Sequence, residues 1–145
     1  MSDKFSLLPS VQISASGLDA ESVRMQVAAN NAANAQTTRG ADGKSFRRKE
    51  VVFAAELKHA IGGQRSASDM NGVRVQEIVD DPRPPIRVYR PGHPDADTDG
   101  YVNMPNVNSV EEMVNMMSAS RAYDANLAAI KSATEMARKA LEIGR

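Results

Sequence analysis

The strongest candidate for metal chemistry in this sequence is the acidic segment DADTDG at residues 95–100. Its carboxylates at the first, third and fifth places, followed by glycine, match the opening of a calcium-binding loop. The twelfth place holds Asn106, which cannot supply a bidentate carboxylate, and three prolines between residues 91 and 105 oppose flanking helices. We expect a solvated turn before a strand here. A small calcium- or metal-binding interaction module that uses this DxDxDG loop is the alternative.

Side chains suited to catalysis are scarce. His59 and His93 are the only imidazoles, and neither has a second histidine or a convincing carboxylate at ligand spacing. The chain has no cysteine, which excludes disulfides, thiolate metal sites and thiol nucleophiles, and no serine lies in a nucleophile-elbow pattern. We therefore expect a protein that is not an enzyme, with no catalytic, cofactor-binding or metal-binding residue and no small-molecule substrate.

A basic cluster formed by Lys44, Arg47, Arg48 and Lys49 could contact phosphates. Acidic residues follow it closely, and eighteen Lys and Arg balance eighteen Asp and Glu over the chain. This balance removes the uniform positive field that a general nucleic-acid binder needs. The cluster is interpreted as a solvated strand face, and no nucleic-acid partner is expected.

The chain that must position these residues is 145 residues long, and this length favours one domain or one assembly subunit. Alanine supplies 21 residues and aromatic residues only six, so much of the apolar surface is small and weakly hydrophobic. The first residues lack the features of a secretory signal, and no run of about 18 apolar residues occurs. Any export is expected to use another route.

Helical periodicity marks both ends of the chain. Apolar and small residues from Val11 to Ala32 alternate in steps of four and three, which predicts an amphipathic helix over about residues 6–35. Ser109 and Glu112 have the spacing of a capping box, and a heptad pattern then continues without Gly or Pro until Gly144. The second helix is predicted over about residues 110–143.

The centre of the chain has a different composition, with several glycines and six of the seven prolines between Pro82 and Pro105. Short runs rich in β-branched or aromatic residues predict strands over 46–53, 73–79 and 86–89, and residues 62–71 resemble a flexible loop. The predicted fold is α+β: long N- and C-terminal α-helices paired as a coiled coil, with a small β-rich central insert. We place the N-terminal helix of the helical core at 1–39, the insert at 40–108 and the C-terminal helix at 109–145.

The periodic apolar and small residues form a stripe along each predicted helix. Many of their side chains are small, and burial of alanine and serine contributes little free energy against the backbone entropy lost on folding. The two helices alone are therefore expected to be only marginally stable. Small residues allow close packing of several helices, and methionines adapt to related partners. The stripes and the asparagines near them are therefore predicted to pack between subunits. The predicted packing residues are Val11, Leu18, Met25, Asn30, Asn31, Asn34, Met113, Met116, Met117, Tyr123, Asn126, Leu127, Ile130 and Leu141.

Several of these segments resemble the axial proteins of the bacterial flagellum. The N-terminal segments are residues 16–18 (SGL) and 30–35 (NNAANA), and the C-terminal ones are 106–108 (NVN), 112–114 (EMV) and 120–126 (SRAYDAN). In the centre, residues 88–89 (VY), 91–97 (PGHPDAD) and 100–102 (GYV) resemble the proximal-rod member of this family.

The resemblance implies a structural subunit that polymerises through its terminal helices into the torque-transmitting drive shaft of the flagellum. It implies export through the flagellar type III machinery and a place in the basal-body rod, where it crosses the periplasm. The implied partners are other copies of the chain, other proximal-rod proteins, the MS-ring or export-gate adaptor and the distal rod.

Overall fold

The computed structural model describes residues 7–40, 42–57 and 70–143 of the chain. Two long helices, α1 (Leu7–Ala33) and α2 (Ser109–Ile143), enclose four strands in the sequence. The strands are β1 (Lys49–Leu57), β2 (Met70–Asp80), β3 (Ile86–Tyr89) and β4 (Tyr101–Met104). At about 1.5 Å per residue, the 35 residues of α2 extend over roughly 50 Å.

The two helices pack against each other in antiparallel orientation. Asn31 of α1 contacts Glu112 of α2, and Gly17, fourteen residues earlier in α1, lies against Asn126, fourteen residues later in α2. Continuing this register by ten residues places Leu7 opposite Met136. The last turns of α2, which carry Leu141, therefore extend beyond the described start of α1.

The strands form two separate antiparallel hairpins. β1 pairs with β2 from Lys49↔Asp80 to Leu57↔Met70, with register shifts after Val52 and after Glu56. β3 pairs with β4 from Ile86↔Met104 to Tyr89↔Tyr101. The first hairpin packs mainly against α1, which also forms most of the contact surface for α2.

The buried apolar core is small and consists mostly of alanine. Among the described residues, the buried apolar side chains are Ala20, Ala28, Val102, Pro105, Ala119 and Ala133. Each alanine removes little apolar area from water, so the helix pair is held by close approach rather than by large interlocking side chains. Neither described helix is long and apolar enough to span a membrane.

The predicted α+β class and the two terminal helices around a β-rich insert are confirmed. The bounds differ in the centre. The first strand begins at Lys49 rather than at Phe46, because the Phe46 amide bonds to the Thr37 carbonyl in the loop after α1. Residues 70 and 71 of the predicted loop belong to β2, and residues 62–69 of that loop lie outside the described residues.

Candidate functional site

A buried polar cluster connects the helix pair to the insert; we call it the polar junction and define it as Asn31, Arg48, Asp81 and Glu112. Asn31 belongs to the end of α1, Arg48 precedes β1, Asp81 follows β2 and Glu112 lies in the first turn of α2. Glu112 and Asn31 are each only 1% exposed, and Asp81 is 4% exposed. Four segments that are distant in sequence therefore meet at one desolvated point.

Glu112 carries the charge at the centre of the polar junction. Its Oε1 accepts a hydrogen bond of 2.7 Å from Nε of Arg48, and its Oε2 accepts one of 3.1 Å from Nδ2 of Asn31. A buried carboxylate without such partners is costly, whereas one with a guanidinium and an amide donor has both oxygens satisfied. The contact fixes the start of α2 against the loop that leads into β1.

The side-chain amide of Asn31 bonds to the backbone of Lys49 in the way that a neighbouring strand would, with one hydrogen bond donated and one accepted. Its Oδ1 accepts from the Lys49 amide at 2.9 Å, and its Nδ2 donates to the Lys49 carbonyl at 2.8 Å. The side chain therefore closes the free edge of β1 at its first residue. A carboxylate or an aliphatic side chain could not satisfy both backbone groups, which explains why an asparagine is required here.

Asp81 completes the polar junction from the other side of the first hairpin. It accepts hydrogen bonds from the side chain and the backbone of Arg83, with Nη2 of Arg83 at 2.6 Å, and it lies 3.8 Å from Nη1 of Arg48. These bonds, the Arg83 side chain first, lower the pKa of Asp81 from 3.8 to about 2. The backbone amide of Asp81 also donates to the Arg48 carbonyl at 2.8 Å.

The sequence patterns did not predict the polar junction, because they indicated other roles for Arg48 and Glu112. Arg48 was placed in a solvated basic cluster, yet only 15% of its side chain is exposed. Glu112 was assigned to a capping box with Ser109, but its carboxylate turns toward Arg48 instead. The cap of α2 is Asn108, whose Oδ1 accepts from the Val110 amide at 3.0 Å. The helix nevertheless begins at Ser109, as predicted.

The helix pair has one point of very close approach, at Gly17. A Cβ placed on Gly17 would lie 2.8 Å from Nδ2 and 3.1 Å from Cγ of Asn126, so the Asn126 amide would have to shift. Glycine costs about 1 kcal/mol relative to alanine inside a helix. Here the missing side chain makes room for Asn126, so the local cost serves the packing of α1 on α2.

The first hairpin is docked on α1 through Ser16. The Ser16 hydroxyl donates to the Ile13 carbonyl at 2.7 Å and accepts from the Val73 amide at 3.1 Å. Gly72, beside this contact, has a φ of 130°, and a Cβ there would collide with the Ser16 hydroxyl. Both the positive φ and the lack of space require glycine at this position.

The residues predicted to pack between subunits fall into three groups. Asn31 is buried in the polar junction, and Asn34 bonds to the Asn30 carbonyl and to the Thr37 hydroxyl at the end of α1. Half-buried side chains lie along the helix pair: Val11, Leu18, Met25, Met116, Tyr123, Asn126, Leu127 and Ile130. Exposed side chains are Asn30, Met113, Met117 and Leu141. Their role between subunits stays a prediction.

The acidic segment 95–100 forms a turn whose carboxylates bond to the protein. Asp95 accepts a bond of 2.7 Å from the Thr38 hydroxyl and pairs with Arg39, while Asp97 pairs with Arg87 at 2.6 Å. The other Asp97 oxygen accepts the amides of Asp99 and Tyr101. The backbone bond from Tyr101 is the main cause that lowers the pKa of Asp97.

Asp97 therefore holds the connection between β3 and β4, while Asp95 ties this turn to the loop after α1, and β4 follows as expected. Within the described parts of the chain, no group of three or more His, Asp or Glu side chains could hold a metal ion. His93 accepts from the Asp95 amide in the same turn, and His59 lies outside the described residues.

Comparison with known proteins gives a consistent result. Residues 98–143 match the family model described as flagellar basal body rod FlgEFG protein C-terminal. Over nearly full length, the chain is 42% identical to the flagellar basal-body rod protein FlgC of Yersinia enterocolitica, covering 97% of this chain and 99% of the relative. It is 44% identical to the FlgC of Salmonella typhimurium (96% and 98%) and 40% identical to that of Bacillus subtilis (94% and 97%).

Proposed function

The chain belongs to the FlgC family of flagellar basal-body rod proteins, and on that premise we propose that it is a structural subunit of the basal-body rod in its own bacterium. The resemblance noted in the sequence is confirmed at the level of the family. The observation that carries the proposal is identity above 40% over nearly the whole of both chains. A match of this extent includes the helices and the insert, not one shared segment.

The proposal includes polymerisation through the terminal helices and transmission of torque along the rod. Support comes from the helix pair itself. Its buried core is mostly alanine, and many larger apolar side chains on α2 are exposed. Neighbouring subunits would cover these side chains, and close-packed helices would then resist twisting because a packed interior is hardly compressible. In this role the chain would consist of the N-terminal helix of the helical core (residues 1–39), the insert (40–108) and the C-terminal helix (109–145).

The partners follow from the same proposal. Assembly into a rod requires contacts with other copies of the chain and with other rod proteins. We assign the chain to the proximal rod, between the MS-ring or export-gate adaptor and the distal rod, with delivery by the flagellar type III export machinery. The sequence features that support this assignment are the central segments 88–89, 91–97 and 100–102.

A non-enzymatic role is part of the proposal. The relatives carry the name of a rod protein, and the polar side chains of the described junction bind one another rather than open solvent. The alternative metal-binding module is not supported, because two of its three carboxylates, Asp95 and Asp97, already accept hydrogen bonds from this chain.

The test is replacement of the chromosomal copy in the source bacterium by Leu127→Asp, with Ala129→Asp as the matched control. Leu127 is half-buried on the helix pair and Ala129 is exposed. A buried unpaired charge costs several kcal/mol, so we expect Leu127→Asp to abolish motility and rods. The control should swim and show the chain in isolated basal bodies by electron microscopy. A motile Leu127→Asp strain with normal rods would contradict the packing role, and absence of the parent chain from basal bodies would refute the function.

A further inference from the structure

The first hairpin contains only two strands, so β1 and β2 each have one edge that faces no other strand. We call a residue an edge position when its backbone amide and carbonyl point to that edge. Lys49 is an edge position of β1, because both groups bond to the Asn31 side chain of α1. Val73 is an edge position of β2, because its amide bonds to the Ser16 hydroxyl of α1. The helix therefore closes one position on each edge.

The remaining edge positions follow from the strand pairing. Along each strand of an antiparallel pair, backbone groups point alternately to the partner strand and to the outer edge. Counting from Lys49, the next edge positions of β1 are Val51, Phe53 and Ala55. The residues paired with edge positions are edge positions themselves, and on β2 these are Asp80, Ile78, Val75 and Val73. The hydrogen bond between Ser16 and Val73 agrees with this assignment, which starts from the other end of the hairpin.

Three edge positions stay open on each strand, because α1 closes Lys49 at one end of the hairpin and Val73 at the other. No hydrogen bond from another described residue reaches the outward backbone groups of these open positions. A groove of about 210 Å³ borders Val51 and Phe53, so the helix pair leaves room beside the edge of β1. The open positions are Val51, Phe53 and Ala55 on β1, and Val75, Ile78 and Asp80 on β2.

The open edges also carry exposed apolar side chains. Phe53 is 38% exposed and Ile78 is 48% exposed, and each lies at the middle of its open edge. An unpaired strand edge is a template for another strand, most of all where apolar side chains are exposed on it. The occupant that fits such an edge is an extended segment that supplies backbone groups and an apolar side chain together.

We propose that the open edge of β1 in one copy of this chain pairs with the open edge of β2 in the next copy; this inference rests on the proposed function. Copies in the same orientation keep these two strands antiparallel, as they are within each chain. The contact lies in the insert and is separate from packing of the terminal helices. Because two different edges meet, the contact is heterologous, and such contacts generate rings or open helical arrays.

A second copy supplies what each open edge lacks. The three open positions of β1 match the three of β2 in number, and in this match Phe53 and Ile78 of neighbouring copies cover each other. Asn31 and Ser16 impose the register, because a full overlap of the two hairpins would need the edge positions that they occupy. The matched pairs between copies are Val51 with Asp80, Phe53 with Ile78, and Ala55 with Val75.

Pairing over three edge positions is too short to hold two copies together by itself, since even a complete two-stranded hairpin is only marginally stable in water. We therefore expect the contact in the assembled rod, where packing of the helices holds neighbouring copies in place. For this reason the experiment uses isolated basal bodies rather than the purified chain.

The test uses the absence of native cysteine in this chain. Two single variants, Ala54→Cys on β1 and Glu77→Cys on β2, are co-expressed with different epitope tags in the source bacterium, and isolated basal bodies are oxidised. In the proposed register, Ala54 lies opposite Glu77 of the next copy in a non-hydrogen-bonded pair. The Cα atoms of such a pair are about 4.5 Å apart, within the range that a disulfide requires. We expect a mixed-tag dimer that reduction removes.

The matched control is Ala54→Cys with Arg74→Cys. Arg74 is exposed on β2 as Glu77 is, but it lies two residue pairs further along the hairpin. This displacement of about 7 Å places its Cα beyond the reach of a disulfide, so the control should give no mixed dimer. Val52→Cys with Val79→Cys occupies the adjacent opposite position between copies and repeats the test if either first variant is missing from basal bodies.

Three results would overturn the inference. A mixed dimer from the Arg74→Cys control in place of the Glu77→Cys pair would show another register. A dimer formed by Glu77→Cys alone would show contact between two β2 strands. Basal bodies that contain both tagged chains without any mixed dimer would show that the edges do not meet, while leaving the proposed function intact. Absence of the parent chain from basal bodies would refute the proposed function and this inference with it.

Discussion

Asp81 shows how a single side chain acquires a structural role from its place between elements. It is almost fully buried after β2 and accepts hydrogen bonds from Arg83, with Arg48 of the polar junction close by. Its carboxylate is stabilised in the ionised form only in the folded chain, where these donors are assembled. The folded-state pKa of about 2 lies below the ordinary 3.8 for that reason.

This difference predicts a pH dependence of stability. Because the pKa of Asp81 is lowered on folding, its contribution is fully present above about pH 5 and is lost as the pH falls from about 4 toward 2. Asp81→Asn should be less stable than the parent at pH 6 and should lose less stability on acidification. Urea unfolding between pH 2 and 6, followed by circular dichroism, measures this. Asp124→Asn, on an exposed part of α2, should keep the parent's pH profile; an unchanged profile for Asp81→Asn would contradict the role given to Asp81.

At the scale of elements, two glycines determine how the helices and the first hairpin meet. Gly17 lets α2 bring Asn126 against the backbone of α1, and Gly72 lets β2 approach Ser16. A larger residue at Gly17 would displace the Asn126 amide, and one at Gly72 would displace the Ser16 hydroxyl and strain a backbone with a φ of 130°. The elements themselves form from local patterns, but their distance from one another is determined by these missing side chains.

Gly17→Val tests the close approach of the helices. Valine favours a helix more than glycine does, so any loss of stability must come from collision with Asn126. We expect a loss of about 1 to 3 kcal/mol, typical of overpacking, in urea unfolding followed by helical circular dichroism. Asn126→Ala in the same chain should restore part of it. Ala33→Val, at an exposed position near the end of α1, is the control for added bulk. Parent-like unfolding of Gly17→Val would show that the helices do not approach this closely.

At the scale of the whole molecule, the polar junction and the Ser16–Val73 contact are two connections that join the helices to the insert. Glu112 joins α2 to the segment before β1, and the Arg48 amide donates to Oδ1 of Asn106 in the segment between β4 and α2. The apolar core that could do this instead is small. The hydrogen bonds of the polar junction therefore add to the direct packing of the first hairpin on α1 in joining the two parts.

Glu112→Ala tests this coupling. Removing Glu112 takes away the 2.7 Å partner of Arg48 and one acceptor of the Asn31 amide, and loss of one partner of a buried charge pair costs about 3 to 5 kcal/mol. In a Tyr123→Phe background, the near-ultraviolet tyrosine signal comes from Tyr89 and Tyr101 of the insert. This signal and the helical circular dichroism should change at the same urea concentration when Glu112 is present. In the variant, the helical signal should be lost first. Glu111→Ala, the exposed neighbour, should change stability by about 0.5 kcal/mol or less. Coincident and unshifted transitions in Glu112→Ala would argue against the coupling.

The sequence by itself determined the two terminal helices, the β-rich centre and the family. The reason is that helical periodicity, strand alternation and the punctuation by glycine and proline are local patterns, readable within a few turns of chain. The family segments 30–35 and 120–126 are likewise contiguous. The start of α2 at Ser109 could be predicted even though its capping residue, Asn108, was not the one expected.

Only the tertiary structure decided which polar residues meet. Arg48 and Glu112 are 64 residues apart, and Asn31 and Glu112 are 81 apart, so no local pattern relates them. In sequence, Arg48 is one of several neighbouring cations and Glu112 one of two adjacent carboxylates. Which of them is buried depends on the path of the chain through the insert. Likewise, the sequence does not show why residue 17 is a glycine. The reason is that the antiparallel packing of α2 brings Asn126 against it.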